Sequence, residues 1–559
     1  MSASVSEFDA IVVGSGPGGS TLADALTAAG WSVCLFEKGR NHLIDLDDPN
    51  RLLGDYSNDE IKFMVRHFLG PDPLLEPRTF RMRDSDGDRI YVGDVNNLPS
   101  TVGGGGPHAD GKLPRFREED FSLVSERGPV EDAQVADWPL AYADLEPHYA
   151  EAERLIGVAG QAGANPFAAP RSTPYPMPPG APMYGATLTA AAAEKLGYHP
   201  YPAPTGANSV PYDGRPACNN CGFCGFYGCP IHAKGDPVAS LRRALLTGRC
   251  VLRPETFVSR VLVQNDRATG VEYVGPDGET RTETARHVVL AAGAVETPRL
   301  LLLSGFDHPL VGRHLMFHFQ TYVMGGFEQH VHSERGRSVT HLHDDHIVPD
   351  ADARAAARAA GLPWIRGGTV EHAGAAQVIL EAKGYPWGPA HKDAMRQSLL
   401  RAHLWGFCMQ AEDLPQAVNR VDLDPTVRDV RGFPVARITY HPHRHELVAS
   451  AHYAPKLSEI LTVAGAQWTV SSTSPDPNAP FGLHDMVSPV PQSKHVMGTV
   501  RMGDDPATSV VDGWSRVHDV PNLVVADSSV FVTSAGYNPT LTLVALALRA
   551  AQALVDGGR

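Results

Sequence analysis

Near its start the chain runs Phe8-Asp9-Ala10-Ile11-Val12-Val13 straight into Gly14-Ser15-Gly16-Pro17-Gly18-Gly19-Ser20. Consecutive apolar residues without alternation suit a strand buried on both faces of a parallel sheet. The glycines then turn the chain into a helix, Thr21 to Gly30, and a second apolar run follows at Val33-Cys34-Leu35-Phe36. Gly14 allows the turn, Gly16 lets a pyrophosphate approach the backbone, and Gly19 lets helix and strand pack closely. The helix N-terminus adds unpaired N–H groups and partial positive charge. Glu37 closes the second strand where a ribose-binding acid is expected. With strand, helix and acid all in place, the glycines read as a dinucleotide site rather than a glycine-rich turn.

At 559 residues the chain exceeds one ordinary core, so two domains, or one domain with large insertions, are expected. A net charge of −15 argues against a nucleic-acid or anionic-membrane surface as the main partner. Met1 to Glu7 is short and polar, and no apolar run reaches membrane-spanning length, so a cytoplasmic protein with no direct membrane span is expected. Seven cysteines in 559 residues are no secreted disulfide framework, yet four fall between Cys218 and Cys229.

Beyond Glu37 periodicity fades through Asp94, suggesting a long excursion over the surface or over the cofactor. Thr101-Val102-Gly103-Gly104-Gly105-Gly106-Pro107-His108 leaves little side-chain bulk, so its backbone could lie against a flat ring system, the alternative being a flexible loop. Helices are predicted over Ala150 to Val158 and Tyr184 to Leu196, with a proline-rich linker or lid between them. Strands are predicted within Val251 to Val263 and at Gly270 to Tyr273, with a turn at Pro276-Asp277-Gly278. His287 to Ala294 is another apolar strand ending in glycine, leading into a helix that tolerates Pro298 early in its course. Residues 310 to 488 read as a mixed sheet-and-helix domain roofing the cofactor. Asn522 to Asp527 is a buried strand ending in an acid, and Pro539 to Val555 a long apolar helix.

These motifs together resemble the glucose-methanol-choline (GMC) oxidoreductases, flavoenzymes that oxidise alcohols. Gly293-Ala294-Val295-Glu296-Thr297-Pro298-Arg299 through Ser304-Gly305 is similar to one family signature, departing from it at Asp307, where glycine is usual. His495-Val496-Met497-Gly498-Thr499-Val500-Arg501-Met502-Gly503, then Asn522 to Asp527, then Ala535-Gly536-Tyr537-Asn538-Pro539-Thr540 follows the family's catalytic end. The resemblance implies an α/β fold with a Rossmann-like FAD-binding domain and a mixed-sheet α+β substrate-binding domain. The first is expected over 1–310, with 45–95 and 130–200 as excursions and 215–232 as the cysteine segment, and again over 489–559. The second is expected over 311–488.

By the same resemblance His495 is the catalytic histidine and Asn538 its partner. Gly14, Gly16, Gly19 and Glu37 hold the adenosine diphosphate, Val258 contacts adenine, and Asp527 lies beside the pyrophosphate. Gly104 and Ala292 belong to the same cofactor set. Asn538, Pro539 and the following helix N-terminus lie against the flavin pyrimidine edge. His108 falls where some members attach FAD covalently and others bind it without a bond. Alcohol oxidation needs a base near the hydroxyl and fixed geometry at the carbon, and histidine accepts a proton near neutral pH. Asn538 takes no proton but can hydrogen-bond the developing alkoxide. The other histidines, among them His341, His343, His346, His441, His443 and His445, are expected in solvated loops, with metal binding as the alternative.

Cys218-Asn219-Asn220-Cys221-Gly222-Phe223-Cys224 followed by Cys229-Pro230 differs by one residue from a ferredoxin-type run. Bacterial membrane-coupled sugar dehydrogenases of the family hold a three-iron cluster on three cysteines; Cys218, Cys224 and Cys229 match that trio loosely, and Cys221 is additional. An iron–sulfur cluster, a zinc site and metal-free thiols all remain open. The leading expectation is an FAD-dependent dehydrogenase oxidising a sugar, aminosugar, glycoside or polyol, with electrons leaving to a protein or quinone acceptor. An oxidase passing electrons to O2, a non-catalytic flavin- and metal-holding redox sensor, and a non-redox flavoprotein are the alternatives.

Overall fold

Phe8–Val13 forms the central strand, and its inward run from Ala10 to Val13 is almost wholly removed from solvent. In this computed structural model residues 8–53, 72–87, 91–93, 95, 98–222, 224, 228–373, 386–397, 402–472 and 493–557 are described. The expected domain boundary at 488 and residues 223 and 225–227 of the cysteine segment lie outside them. The helix after the glycine turn spans Pro17–Ala28, starting four residues earlier than periodicity suggests, because proline is preorganised for the first helical position. Gly18 and Gly19 are therefore helical, pressed against neighbouring backbone.

The central strand pairs in parallel with Val33–Phe36 on one side and Thr280–Leu290 on the other. Val33–Phe36 continues in parallel to Cys250–Arg253, and Thr280–Leu290 to Val520–Val525. Strands from both ends of the chain thus share one sheet, whose facing side chains are apolar and buried. Each fully buried Val or Leu there contributes about 1.5–3 kcal/mol. Phe257–Gln264 and Arg267–Val274 form a hairpin that joins the long Thr280–Leu290 strand antiparallel, through the turn expected at Asp277-Gly278. Helices Pro17–Ala28, Tyr142–Ile156 and Thr540–Asp556 pack together on this sheet.

Pro298 sits well inside the helix Gly293–Leu303, not at its first position. It has no N–H for the carbonyl of Ala294, and the Thr499 hydroxyl donates to that carbonyl instead, at 2.8 Å. The interior proline is tolerated because a residue some two hundred positions away fills its vacancy.

The larger roof sheet is antiparallel throughout, in the order Ala466–Ser471, Phe319–Phe327, Leu404–Ala411, Gly368–Ala373, Val339–His343, Tyr201–Pro202. The mixed pairing expected of the roof occurs in a smaller four-stranded sheet, where Pro434–Thr439 lies parallel to Arg78–Arg81 and antiparallel to Arg420–Arg428. Both sheets take strands from the N-terminal half of the chain, which binds roof to nucleotide sheet.

Candidate active site

Between nucleotide sheet and roof lies a cavity of about 770 Å³. Its walls include Gly14, Gly16, Glu37, Gly104, His108, Val258, Ala292, His495, Asp527, Asn538 and Pro539. The structure brings together every catalytic and cofactor position expected from sequence except Gly19. That glycine serves packing: a Cβ there would fall 2.0 Å from the carbonyl oxygen of Gly14. At Gly16 a Cβ would meet no protein atom within 4 Å, and Gly104 approaches so closely that its Cβ would lie 3.1 Å from Gly16 Cα. The helix Pro17–Ala28 has neither a side-chain cap nor an acidic residue in its first turn, so its N–H groups are available to an anion. The residues present fit a dinucleotide.

Two expected cofactor acids are engaged by the protein itself. Glu37 accepts from the N–H and hydroxyl of Ser15 at 3.1 and 2.6 Å and from Gly39 N–H at 2.8 Å. Asp527 accepts from Gly293 N–H at 2.9 Å, and from the hydroxyls of Thr297 and Ser529 at 2.5 Å each. It thereby ties the end of Val520–Val525 to the start of Gly293–Leu303. Burial raises its carboxyl above the ordinary aspartate value despite these donors. His108 is buried in the cavity wall, and burial lowers its imidazole to about 3, with Lys234 adding to the effect. The Lys234 ammonium donates at 2.6 Å to the carbonyls of Pro107 and Ala109, clamping the residues on either side of His108.

His495 and Asn538 meet at the roof end. Asn538 Nδ2 lies 3.5 Å from His495 Nε2 and donates to Glu371 Oε1 at 3.1 Å. A carboxylate only accepts, so Glu371 dictates which end of the amide faces it. Asn538 Oδ1 is buried and makes no hydrogen bond to the described residues. Glu371 also accepts from Gln410 Nε2 at 3.1 Å and from Lys112 Nζ at 2.7 Å, and Lys112 reaches Asp110 at 3.0 Å. Burial opposes the Lys112 charge, but Glu371 and Asp110 outweigh it and hold the ammonium above the usual lysine range. Gln320 donates to Gln410 at 3.0 Å and Tyr322 to Gln320 at 2.8 Å, so the chain of polar groups continues up the roof. Burial, then His318 and Lys112, pushes His495 well below the ordinary imidazole value.

The backbone bearing Asn538 is rigidly seated. Glu412 accepts from the hydroxyl and N–H of Ser534 at 2.6 and 3.2 Å and from Ala535 N–H at 3.1 Å. Glu412 is itself paired with buried Arg366 at 2.7 Å, and Arg366 also reaches Asp120 at 2.8 Å. Ala535 has φ of 62°, a left-handed conformation that costs a non-glycine residue about 1–2 kcal/mol. Sequence reading missed His318, Glu371, Lys112 and Gln410; the one local signal was a glutamate inside the buried strand Gly368–Ala373.

Two domain profiles of the GMC oxidoreductase family match residues 182–320 and 415–547. 2-Methyl-1,2-propanediol dehydrogenase of Mycolicibacterium austroafricanum is 29% identical over 98% of this chain and 95% of its own. Paromamine 6'-oxidase of Streptomyces fradiae is 30% identical over 98% of this chain and 91% of its own. The chain belongs to the GMC oxidoreductase family. A formate oxidase from Aspergillus oryzae RIB40, solved in a study of FAD modification, shares this GMC fold with a TM-score of 0.69 at 15% identity, covering 100% of this chain and 99% of its own.

Elsewhere this GMC oxidoreductase departs from expectation. Several histidines expected in solvated loops are buried: His343 pairs with His372 at 2.9 Å, His372 with Thr189 at 2.9 Å, and the His346 ring lies tilted against that of Tyr453. His443 caps the helix Arg444–Val463 by accepting from His445 N–H at 3.0 Å, and His445 Nε2 accepts from Arg366 N–H at 3.3 Å. His343 sits inside because the roof strand Val339–His343 is buried on both faces there, while His346, in a turn, and His443 and His445, at a helix start, are enclosed by tertiary packing. None of the seven cysteines is bridged, and among the described residues no three Cys, His, Asp or Glu side chains converge as a metal requires. Among the described residues Cys218, Cys221, Cys224 and Cys229 are therefore not gathered into a ligand set, and none of the four lines the cavity that holds His495. No described helix is long and apolar enough to cross a membrane.

Burial lowers His346 to about 3, so the folded protein refuses a proton that the unfolded chain binds below its ordinary value of 6.5. Stability from this group is full above that value and declines as pH falls toward the folded one. In His346→Phe the decline is removed. Relative to wild type, the variant gains about 2 kcal/mol between pH 7.5 and pH 5, at ~1.4 kcal/mol per unit over ~1.5 units. Urea melts at the two pH values measure it, and an unchanged difference refutes it.

Proposed function

We propose that this GMC oxidoreductase is an FAD-dependent dehydrogenase oxidising a CH–OH group of a sugar, aminosugar, glycoside or polyol, with an external electron acceptor. The observation that carries it is the meeting of His495 Nε2 and Asn538 Nδ2 at 3.5 Å in the wall of the dinucleotide cavity. Gly14, Gly16, Gly104 and the N-terminus of Pro17–Ala28 hold the FAD diphosphate, Val258 flanks the adenine, and Pro539 and the helix after it flank the flavin. FAD, when bound, supplies the hydride acceptor.

The chain's own groups handle the proton. A substrate hydroxyl between Nε2 of His495 and the second N–H of Asn538 gives its proton to the imidazole while the amide N–H stabilises the growing negative charge. His495 is neutral at physiological pH because its enclosure disfavours the imidazolium, which is the state a base requires. The Lys112–Glu371–Gln410–Gln320 row offers alternating donors and acceptors, a wall suited to a polyhydroxylated substrate. The propanediol and the paromamine in the names of two relatives support that class.

Anaerobic mixing of purified yellow protein with a panel of sugars, aminosugars and polyols tests the reading: at least one bleaches the flavin, and turnover follows with a quinone or dye. Peroxide released in air at a comparable rate would instead make it an oxidase, and no bleaching by any polyhydroxy compound would reject the substrate class. A broad brown absorbance shoulder would restore an iron–sulfur centre. Glu371→Leu is expected to lower kcat/KM by about 10²-fold, because Asn538 loses the group that orients its amide and Lys112 is left with Asp110 alone. Steady-state kinetics on the preferred substrate check this; a change under threefold refutes it.

A further inference from the structure

His318, which immediately precedes the roof strand Phe319–Phe327, has both ring nitrogens engaged. Its Nε2 lies 2.9 Å from the carbonyl oxygen of Ser534, and its Nδ1 lies 2.7 Å from Nδ1 of His495. The carbonyl can only accept, so Nε2 of His318 carries a hydrogen. A neutral imidazole carries one, which leaves Nδ1 of His318 bare and accepting. The hydrogen between the rings therefore sits on Nδ1 of His495, and the lone pair of His495 is at Nε2, beside Asn538.

His318 is 2% exposed. Burial lowers it to about 4, the Ser534 carbonyl and Glu412 acting in the opposite direction and Arg366 reinforcing burial, so the ring is neutral where the enzyme works. Ser534 is held by Glu412, so the carbonyl that sets the His318 tautomer belongs to the same rigid segment that carries Asn538. The two rings cross almost perpendicularly, at 87°.

We propose that His318 is a positioning residue that fixes the tautomer and ring direction of His495, so that the bare Nε2 is presented to the substrate hydroxyl. This rests on His495 being the base. When the hydroxyl O–H bond breaks, its proton forms the new N–H bond at Nε2; bound FAD would be the acceptor for the hydride from the same carbon. The Nδ1–H of His495 stays on its own ring and its bond to His318 strengthens as charge develops. Without His318 the imidazole is free to adopt the other tautomer, with a hydrogen where a lone pair is needed; in other enzymes a wrong tautomer costs up to about 10⁴-fold.

The test compares wild type, His318→Phe, His318→Asn and His495→Ala, each loaded with FAD, by anaerobic flavin reduction and steady-state kinetics. His318→Phe is expected to lose about 10²-fold or more in reduction rate and kcat with KM within about threefold, since it removes an interaction that acts on the reacting state. His318→Asn, whose side-chain oxygen can accept from His495 Nδ1, recovers to within about tenfold of wild type. Wild-type reduction by His318→Phe, or an asparagine variant as slow as phenylalanine, overturns the proposal while leaving the base assignment intact. Wild-type reduction by His495→Ala overturns the base assignment itself. If His318→Phe does not hold FAD, His318→Asp decides: a carboxylate at this position favours the His495 imidazolium, so the acid limb of kcat/KM moves to higher pH, and an unmoved limb overturns the proposal.

Discussion

His495→Ala will reduce its flavin with substrate about 10²- to 10⁴-fold more slowly than wild type while keeping its yellow colour. Loss is expected because among the described residues no other neutral base stands beside Asn538: Lys112 is held as an ammonium by Glu371 and Asp110, and Glu371 already accepts from three donors. Retention of FAD is expected because the glycine turn, the Gly104 loop and the helix N-terminus that fit the dinucleotide belong to other parts of the cavity. Stopped-flow reduction under anaerobic conditions gives the rate, and the visible spectrum gives the flavin content. Undiminished reduction would reject His495 as the base. Colourless protein would mean that its ring serves the cofactor rather than the substrate.

The second large effect separates two neighbouring glycines. A Cβ at Gly18 would stand 1.7 Å from the carbonyl oxygen of Ala526, backbone against backbone, with no flexible side chain to yield. Gly18→Ala should therefore destabilise the apoprotein by about 3 kcal/mol or more, since helix and strand must separate. Gly16→Ala meets no protein within 4 Å and has an extended backbone that alanine adopts freely, so apoprotein stability should hardly change. Its methyl group would occupy space where the diphosphate is expected, and FAD content should fall at least tenfold. Thermal melts of both apoproteins, with flavin absorbance per protein, check the pair. If Gly16→Ala keeps full flavin, the diphosphate lies elsewhere.

Much of the scaffold was legible because its signals are local. Apolar runs within Phe8 to Val13 and Asn522 to Asp527 marked doubly covered strands, and the sheet does place Phe8–Val13 and Val520–Val525 there, separated by Thr280–Leu290. The helices Tyr184–Lys195 and Thr540–Asp556 end within a residue or two of the periodic pattern. The histidines were misread because polarity was taken as a mark of exposure. His343 and His372 are buried together and bond each other, a solution visible only when two strands meet in register. Pro298 was misplaced for a similar reason, since Thr499, which relieves it, is remote in the chain.

From residue order alone came the glycine-turn nucleotide unit, the C-terminal His495 and Asn538, and the family they resemble, because each depends on neighbours a few positions apart. Only the tertiary structure decided which nitrogen of His495 is bare and which end of Asn538 faces Glu371. Those answers depend on His318 and Glu371, which lie 177 and 167 residues from their partners. Hydrogen-bond direction is a property of atoms in contact, and strand pairing, not chain order, brings these atoms within 3 Å or so of one another.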